Sequence, residues 1–323
     1  MGSLSNFHPP VSIIIPVYNG GNYLEEAINS ALAQDYDNVE VLVINDGSTD
    51  EQTERIALSY GDKIRYFRKS NGGVASALNF GIREMRGEYF SWLSHDDIYM
   101  PTKISAQISH LEKQGDRQVI VFSGFYIIDS DGKECNRIMP LDRYSRKQLE
   151  TPLFALFHGM ISGCSLLIHK SHFGKAGLFC ESLPTTQDFD LWFRIMRESP
   201  CSVGEGVLHK VRVHKAQGSQ VHKKVHQQES DALWINMMQM LTDEEKTALN
   251  GSVQGFYRNI YWLLLKYTQN HNAMKYARRR AVSQVGFRGL IARIRLGIIT
   301  LMMLTREVLG LVRRRALTHL PNK

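Results

Sequence analysis

A chain of 323 residues, 43% of them hydrophobic, can bury one large core or two modest ones. Its formal charge of +7 is lopsided: residues 1–200 carry 19 Lys and Arg against 25 Asp and Glu, while residues 201–323 carry 20 against 7. Four scattered cysteines, Cys135, Cys164, Cys180 and Cys201, exclude a disulfide framework and a Cys/His structural zinc site.

Strand and helix signals alternate over the first ~120 residues, the pattern of a mostly parallel α/β sheet flanked by helices. Val11 to Val17 is short, apolar and β-branched, and reads as a central strand. The loop Tyr18-Asn19-Gly20-Gly21 follows. A helix from Asn22 then puts Leu24, Ala27, Ile28, Ala31 and Leu32 on one face. Val39 to Ile44 is the second strand, closed by Asn45-Asp46-Gly47-Ser48, and Thr49 or Asp50 caps the next helix. Ile64 to Phe67 is a third strand. Asn71-Gly72-Gly73 precedes a helix with Ala75, Leu78 and Ile82 inward. The fourth strand, Glu88 to Leu93, ends in Ser94-His95-Asp96-Asp97, and Pro101 opens a helix. Further on, Val119 to Ile128, Ser162 to Ile168 and Val207 to Val213 read as strands. Asp129 to Gly132 reads as a hairpin turn and Asp188 to Arg197 as a helix. From about His222 the pattern is helical.

Four loops thus fall at the carboxyl ends of predicted parallel strands, where open α/β sheets bind ligands. Glycines there let backbone N–H groups approach a ligand. Tyr18 can stack on a base, and Asp46 can accept from a ribose or a base N–H. The adjacent carboxylates Asp96 and Asp97 suit a hard divalent cation, which would hold a phosphate or diphosphate. Plain turn chemistry and helix capping use the same residue types.

Read together, the strings VSIIIPVYNGGNYLEEAINSALAQ, VEVLVINDGSTD, NGGVASALNFGI, GEYFSWLSHDD and QDFDLWFRI resemble the family 2 glycosyltransferases. The resemblance covers Val11 to about Ser219. It implies a GT-A-type, Rossmann-like fold, a nucleotide-diphosphate sugar donor, Mn2+ or Mg2+, and inverting transfer. Carried over by motif, Pro16, Tyr18 and Asp46 line the nucleoside pocket, and Asn71, Gly72 and Gly73 lie beside the base. Asp96, with Asp97 or His95 near it, is the metal-binding element. Asp188 takes the place of the general base, with its helix-capping position as the plain alternative. Arg212, His214 and Ser219 match the region that closes over the diphosphate. The chain departs from the family where Asn45 replaces an Asp, Ser94 an acid, Leu78 an Arg and Gln187 a Glu.

The resemblance divides the chain into a catalytic domain at 1–219 and a basic helical region at 220–323. Within the first, about 11–115 is the nucleotide part and about 116–219 the acceptor part. In the second, Leu290 to Val312 keeps helical spacing of apolar residues. Its uncharged run, Leu296 to Thr305, is too short for the ~20 residues a spanning helix needs. The arginines around it suit an interfacial helix on an anionic membrane, or a helix packed on the rest of the chain. Met1 to Pro10 lacks a secretory leader's pattern, and a cytoplasmic place, peripheral on the inner face of the membrane, is expected. No aromatic-basic interleaving points to nucleic acid. The expected activity is metal-dependent inverting transfer of a sugar to a hydroxyl of a glycan or lipid-linked acceptor. The rivals are a sugar-nucleotide nucleotidyltransferase, whose first loop would carry basic residues absent from Tyr18 to Asn22, and a non-catalytic nucleotide-sugar-binding scaffold.

Overall fold

The computed structural model describes residues 7–267, 271–283 and 297. Its strands are β1 (Val11–Val17), β2 (Val39–Asn45), β3 (Arg65–Arg68), β4 (Tyr89–Trp92), β5 (Ile98–Tyr99), β6 (Ile120–Ile128), β7 (Glu134–Ile138), β8 (Ile168–His169) and β9 (Cys201–Arg212). One sheet has the order β3-β2-β1-β4-β8, with β1 to β4 parallel and β8 antiparallel at the edge. The second has the order β5-β9-β6-β7 and pairs β6 with β9 in parallel. β1 is buried at every position, which is why its sequence, Ser12 apart, is an apolar run rather than an alternating one.

Helices α1 (Leu24–Leu32), α2 (Glu51–Ser59) and α3 (Gly73–Glu84) make the crossovers between the parallel strands. Asp50 caps α2 by accepting from the Thr53 amide at 2.6 Å. α4 (Lys103–Gln114) follows β5 and stops at Gly115, whose φ of +71° suits glycine. Short helices α5 (Arg146–Leu149), α6 (Phe154–Phe157) and α7 (Ser171–Ala176) lead to α8 (Gln187–Glu198), then α9 (Gly218–Val221) and α10 (Lys223–Met240).

Two expected elements differ. The apolar stretch Ser162 to Ile168 is not a full strand: Gly163–Ser165 forms a single 3-10 turn, and Ile168 and His169 alone pair with β4. Ser162 carbonyl accepts from the Ser165 amide at 2.9 Å and from its hydroxyl at 2.6 Å, and these bonds close the turn. Gly163 lies against the Trp92 ring, where a Cβ would sit 2.5 Å from Cζ3. The last strand is longer than its apolar part, because β9 begins at Cys201 and runs through the register irregularities opposite Phe122 to Phe125.

The chain divides into two compact units, at Leu241 and Thr242. α10, which the sequence assigns to the C-terminal region, belongs to the first. The second holds α11 (Asp243–Asn250), α12 (Val253–Tyr267) and α13 (His271–Ala281). A capping box of Thr242 and Glu245 starts α11, and Gly251 at φ +73° ends it. On α13 the small residues Ala273, Ala277 and Ala281 are the buried ones, so α12 and α13 pack at close range. No helix among the described residues is long and apolar enough to cross a membrane. The stretch Leu290 to Val312, Gly297 apart, lies outside them.

Candidate active site

The loops after β1 and β2 are stitched together by one side chain. Asn19, at φ +50°, accepts from the amides of Thr49 at 2.8 Å and Asp50 at 3.2 Å, while its own amide donates to Ser48 Oγ at 2.9 Å. Tyr18 is left 47% exposed beside it, and Pro16 stays buried within β1. Asn45 accepts from the Ser48 amide at 2.8 Å and donates Nδ2 to the Tyr66 hydroxyl at 2.8 Å. An aspartate at this position could not make that donation.

Asp46 is buried and turned toward the next loop. Its carboxylate accepts from Lys69 Nζ at 2.6 Å, from the Gly72 amide at 3.1 Å and from the Gly73 amide at 2.7 Å. It therefore anchors the entry to α3, where free N–H groups and the helix dipole favour a carboxylate. Gly47 makes the approach possible: a Cβ there would lie 2.7 Å from the Asn71 amide. Pro16, Tyr18, Asp46, Asn71, Gly72 and Gly73 thus share one edge, with Asp46 as its internal brace.

At the end of β4 the two carboxylates part company. Asp96 Oδ2 accepts from His214 Nε2 at 2.9 Å. Asp97 Oδ1 accepts from the Arg212 amide at 2.8 Å, and burial together with the Asp96 charge pushes its carboxyl well above the usual range. Arg212 is 2% exposed and spends its guanidinium on the chain itself. Nε donates to Asp96 carbonyl at 2.9 Å, Nη1 to Ser130 carbonyl at 3.2 Å and Nη2 to Glu26, and the group lies 4.4 Å over the Tyr23 ring. Its guanidinium thus braces the Asp96 loop against the loop after β6 and against α1. His95 packs on the first loop, where a Cβ at Gly20 would lie 2.4 Å from its Cδ2, and burial lowers its pKa.

No group of three or more His, Cys, Asp or Glu among the described residues could hold a metal ion unaided. Mg2+-type sites, however, use one or two carboxylates and complete the shell with substrate phosphate and water. Asp96 fits that role, and Asp97 is committed behind it to β9.

Asp188 is the second residue of α8, and Thr186 occupies the N-cap position. Its Oδ1 accepts from the Phe189 amide at 2.9 Å. Burial outweighs that bond and pushes the carboxyl up to about 6. A carboxylate so placed is ionised at neutral pH yet more basic than a solvated one. Asp190, two residues on, pairs with Arg194 Nη2 at 2.7 Å, and Arg194 also donates to the carbonyls of Ala176 and Leu178. Asp190 is therefore structural. Two buried polar atoms, Trp92 Nε1 at the end of β4 and Gln187 Oε1 beside Asp188, have no hydrogen-bond partner among the described residues.

Residues 12–173 match the family model for glycosyl transferase family 2. The chain belongs to that family. It is 51% identical over 257 residues to an uncharacterized glycosyltransferase of Rickettsia typhi, covering 79% of this chain and 80% of that protein. It is 52% identical over 252 residues to another from Rickettsia conorii, covering 77% of this chain but 41% of the relative, so it spans about two fifths of that protein. In fold it is similar to the mannosyltransferase PcManGT from Pyrobaculum calidifontis in complex with GDP-Man and Mn2+. There the TM-score is 0.57 at 16% identity, over 91% of this chain and 81% of that one. The mixed α/β fold, with its sheets flanked by helices, resembles the GT-A glycosyltransferase structures.

One residue of this family 2 domain escapes a motif reading. Lys103 is fully buried beneath the Asp96–Asp97 loop. Its Nζ donates to Ser91 Oγ at 2.8 Å and Gln107 Oε1 at 2.9 Å, and lies 4.3 Å over the Tyr99 ring. The Tyr99 hydroxyl donates to Trp92 carbonyl at 2.6 Å. The network ties together the two strands that flank the loop. Its signal in the sequence is spacing: Lys103 and Gln107 fall on the same helical face as Ile104, Ile108 and Leu111.

Those hydrogen-bond partners are neutral, and burial lowers the Lys103 ammonium from 10.5 to about 7. Between those values the unfolded chain binds the proton and the folded one does not, so stability rises with pH. Relative to Lys103→Met, the wild type should gain about 3 kcal/mol between about pH 7 and pH 9.5. Denaturant unfolding of both proteins at the two pH values reads this directly. Parallel curves would mean that the ammonium is not desolvated.

Proposed function

We propose that the chain moves one sugar from a nucleoside-diphosphate sugar to an acceptor hydroxyl with inversion at the anomeric carbon. The observation that carries this reading is Asp188, a carboxylate held near 6 at the start of α8, in a chain that also places Asp96 after the end of β4. Asp188 takes the hydroxyl proton as the acceptor oxygen attacks the anomeric carbon and the diphosphate leaves from the opposite face. One displacement needs one base and no covalent sugar–enzyme intermediate. Asp96 would hold a divalent cation, which supplies charge stabilisation to the departing diphosphate. Binding of GDP-Man and Mn2+ by the structurally similar mannosyltransferase supports both the donor class and the ion. Tyr18 and the Asn71–Gly73 edge receive the nucleoside, while Asp46 and Arg212 keep that edge in shape. The acceptor is a glycan or a lipid-linked glycan, made at the inner face of the membrane, to which the basic C-terminal residues attract the protein.

A panel of UDP- and GDP-sugars, each with Mn2+ or Mg2+, tests the reading. Release of nucleoside diphosphate with at least one donor is expected. Release of pyrophosphate, or no turnover with any donor, would overturn it.

A further inference from the structure

Helix α8 lacks a cap of its own. Thr186 stands at its N-cap position, and its side chain makes no capping hydrogen bond to the helix. Instead the entry to α8 is held by α10. Glu229 Oε2 accepts from the Thr185 amide at 3.0 Å, from the Thr185 hydroxyl at 2.7 Å and from the Thr186 hydroxyl at 3.4 Å. One turn earlier on α10, His226 Nδ1 meets the same Thr185 hydroxyl at 3.1 Å. One turn later, the Trp234 ring lies 6.4 Å from that of Phe189, the residue after Asp188. Bonds to an ionised carboxylate are about twice as strong as neutral ones, so this clamp is well suited to fixing a loop that would otherwise fray.

We propose that Glu229 is a positioning residue for glycosyl transfer. Its carboxylate holds Thr185 and Thr186, and these set the first turn of α8 so that Asp188 is both aimed at the acceptor hydroxyl and shielded from water. The inference rests on the reading of Asp188 as the base. Glu229 lies 44 residues from Thr185 in the chain, outside the stretch that carries the family motifs.

The test compares Glu229→Ala, Glu229→Gln and Asp188→Asn in the full chain. Transfer kcat, nucleoside-diphosphate affinity by calorimetry and the pH dependence of kcat are measured for each. Glu229→Ala should cut kcat by at least ~10-fold, since small misplacements of a reacting group cost that much or more. Its nucleotide affinity should stay within about twofold of wild type, because the clamp touches α8 and not the donor edge. The acid limb of its pH profile should move to lower pH as water reaches Asp188. Glu229→Gln keeps an accepting oxygen and should recover most of the rate. If Glu229→Ala does not fold, Thr185→Val, which keeps the amide bond to Glu229, carries the same comparison. A wild-type rate in Glu229→Ala beside a dead Asp188→Asn would overturn the inference and leave the base intact. A fully active Asp188→Asn would overturn the base itself. Equal losses of rate and nucleotide affinity, with an unmoved acid limb, would make Glu229 merely structural.

Discussion

Asp188→Asn should lose at least ~10²-fold in transfer rate while binding nucleoside diphosphate as the wild type does. The amide oxygen can still accept from the Phe189 amide, so the start of α8 keeps its geometry. What it loses is the capacity to take a proton. In the wild type, activity should fall as pH drops through about 6, because the base must be ionised to act and burial holds its pKa there. The variant's residual activity should lack that limb. A stability readout accompanies it with a definite sign. Since the folded pKa of Asp188 is raised, the ionised form is disfavoured in the folded state, and the cost is full above the folded pKa and absent below the unfolded one. Asp188→Asn should therefore be more stable than wild type by about 3 kcal/mol at pH 7, and not at pH 3. Loss of donor binding together with transfer would instead make Asp188 a residue of the donor site.

Asp96→Ala should abolish the metal-supported part of the rate, at least ~10²-fold, since a bound dication contributes several kcal/mol at the leaving group. Asp97→Asn should be far milder. Asp97 is buried beside Asp96 and held toward its protonated form, and an amide oxygen can still accept from the Arg212 amide. The contrast between these adjacent residues is the measurement. Full activity of Asp96→Ala, or of wild type with excess chelator, would remove the metal from the proposed chemistry. Equal losses at both positions would mean that Asp97 also reaches the diphosphate.

Much of the donor half was legible because its signals are local. Continuous β-branched runs mark β1 and β2, helical spacing marks α1 and α3, and Asp50 precedes α2 as an N-cap should. The loops carrying Tyr18, Asp46, Asn71 and Asp96 follow from where the strands end. What the residues do within those loops is another matter, because it depends on contacts between distant segments. Asp97 meets Arg212 across 115 positions, and nothing near either one announces the other. The resemblance assigns Arg212 to the region that closes over the diphosphate; its enclosure by Glu26, Tyr23 and Ser130 depends on distant segments that no motif announces. The stretch Ser162 to Ile168 read as a strand because it is apolar. Its first residues turn instead, with Gly163 against the Trp92 ring, and only its end at Leu167 and Ile168 joins a ladder. Glu229 had no local signal at all.

The donor edge contains two kinds of position, and they differ in what they tolerate. Gly47 has no room for a side chain, and Asp46 and Arg212 are enclosed by partners that a substitution would strand. Tyr18 and Asn71 are exposed, and their side chains brace no other loop through a described hydrogen bond. Under the proposed reading, in which Tyr18 and the Asn71–Gly73 edge receive the nucleoside, substitutions at Tyr18 and Asn71 alter the donor contact without rebuilding the loops beneath. On that reading donor preference can drift separately from stability, and a library aimed at a new donor belongs at those two positions.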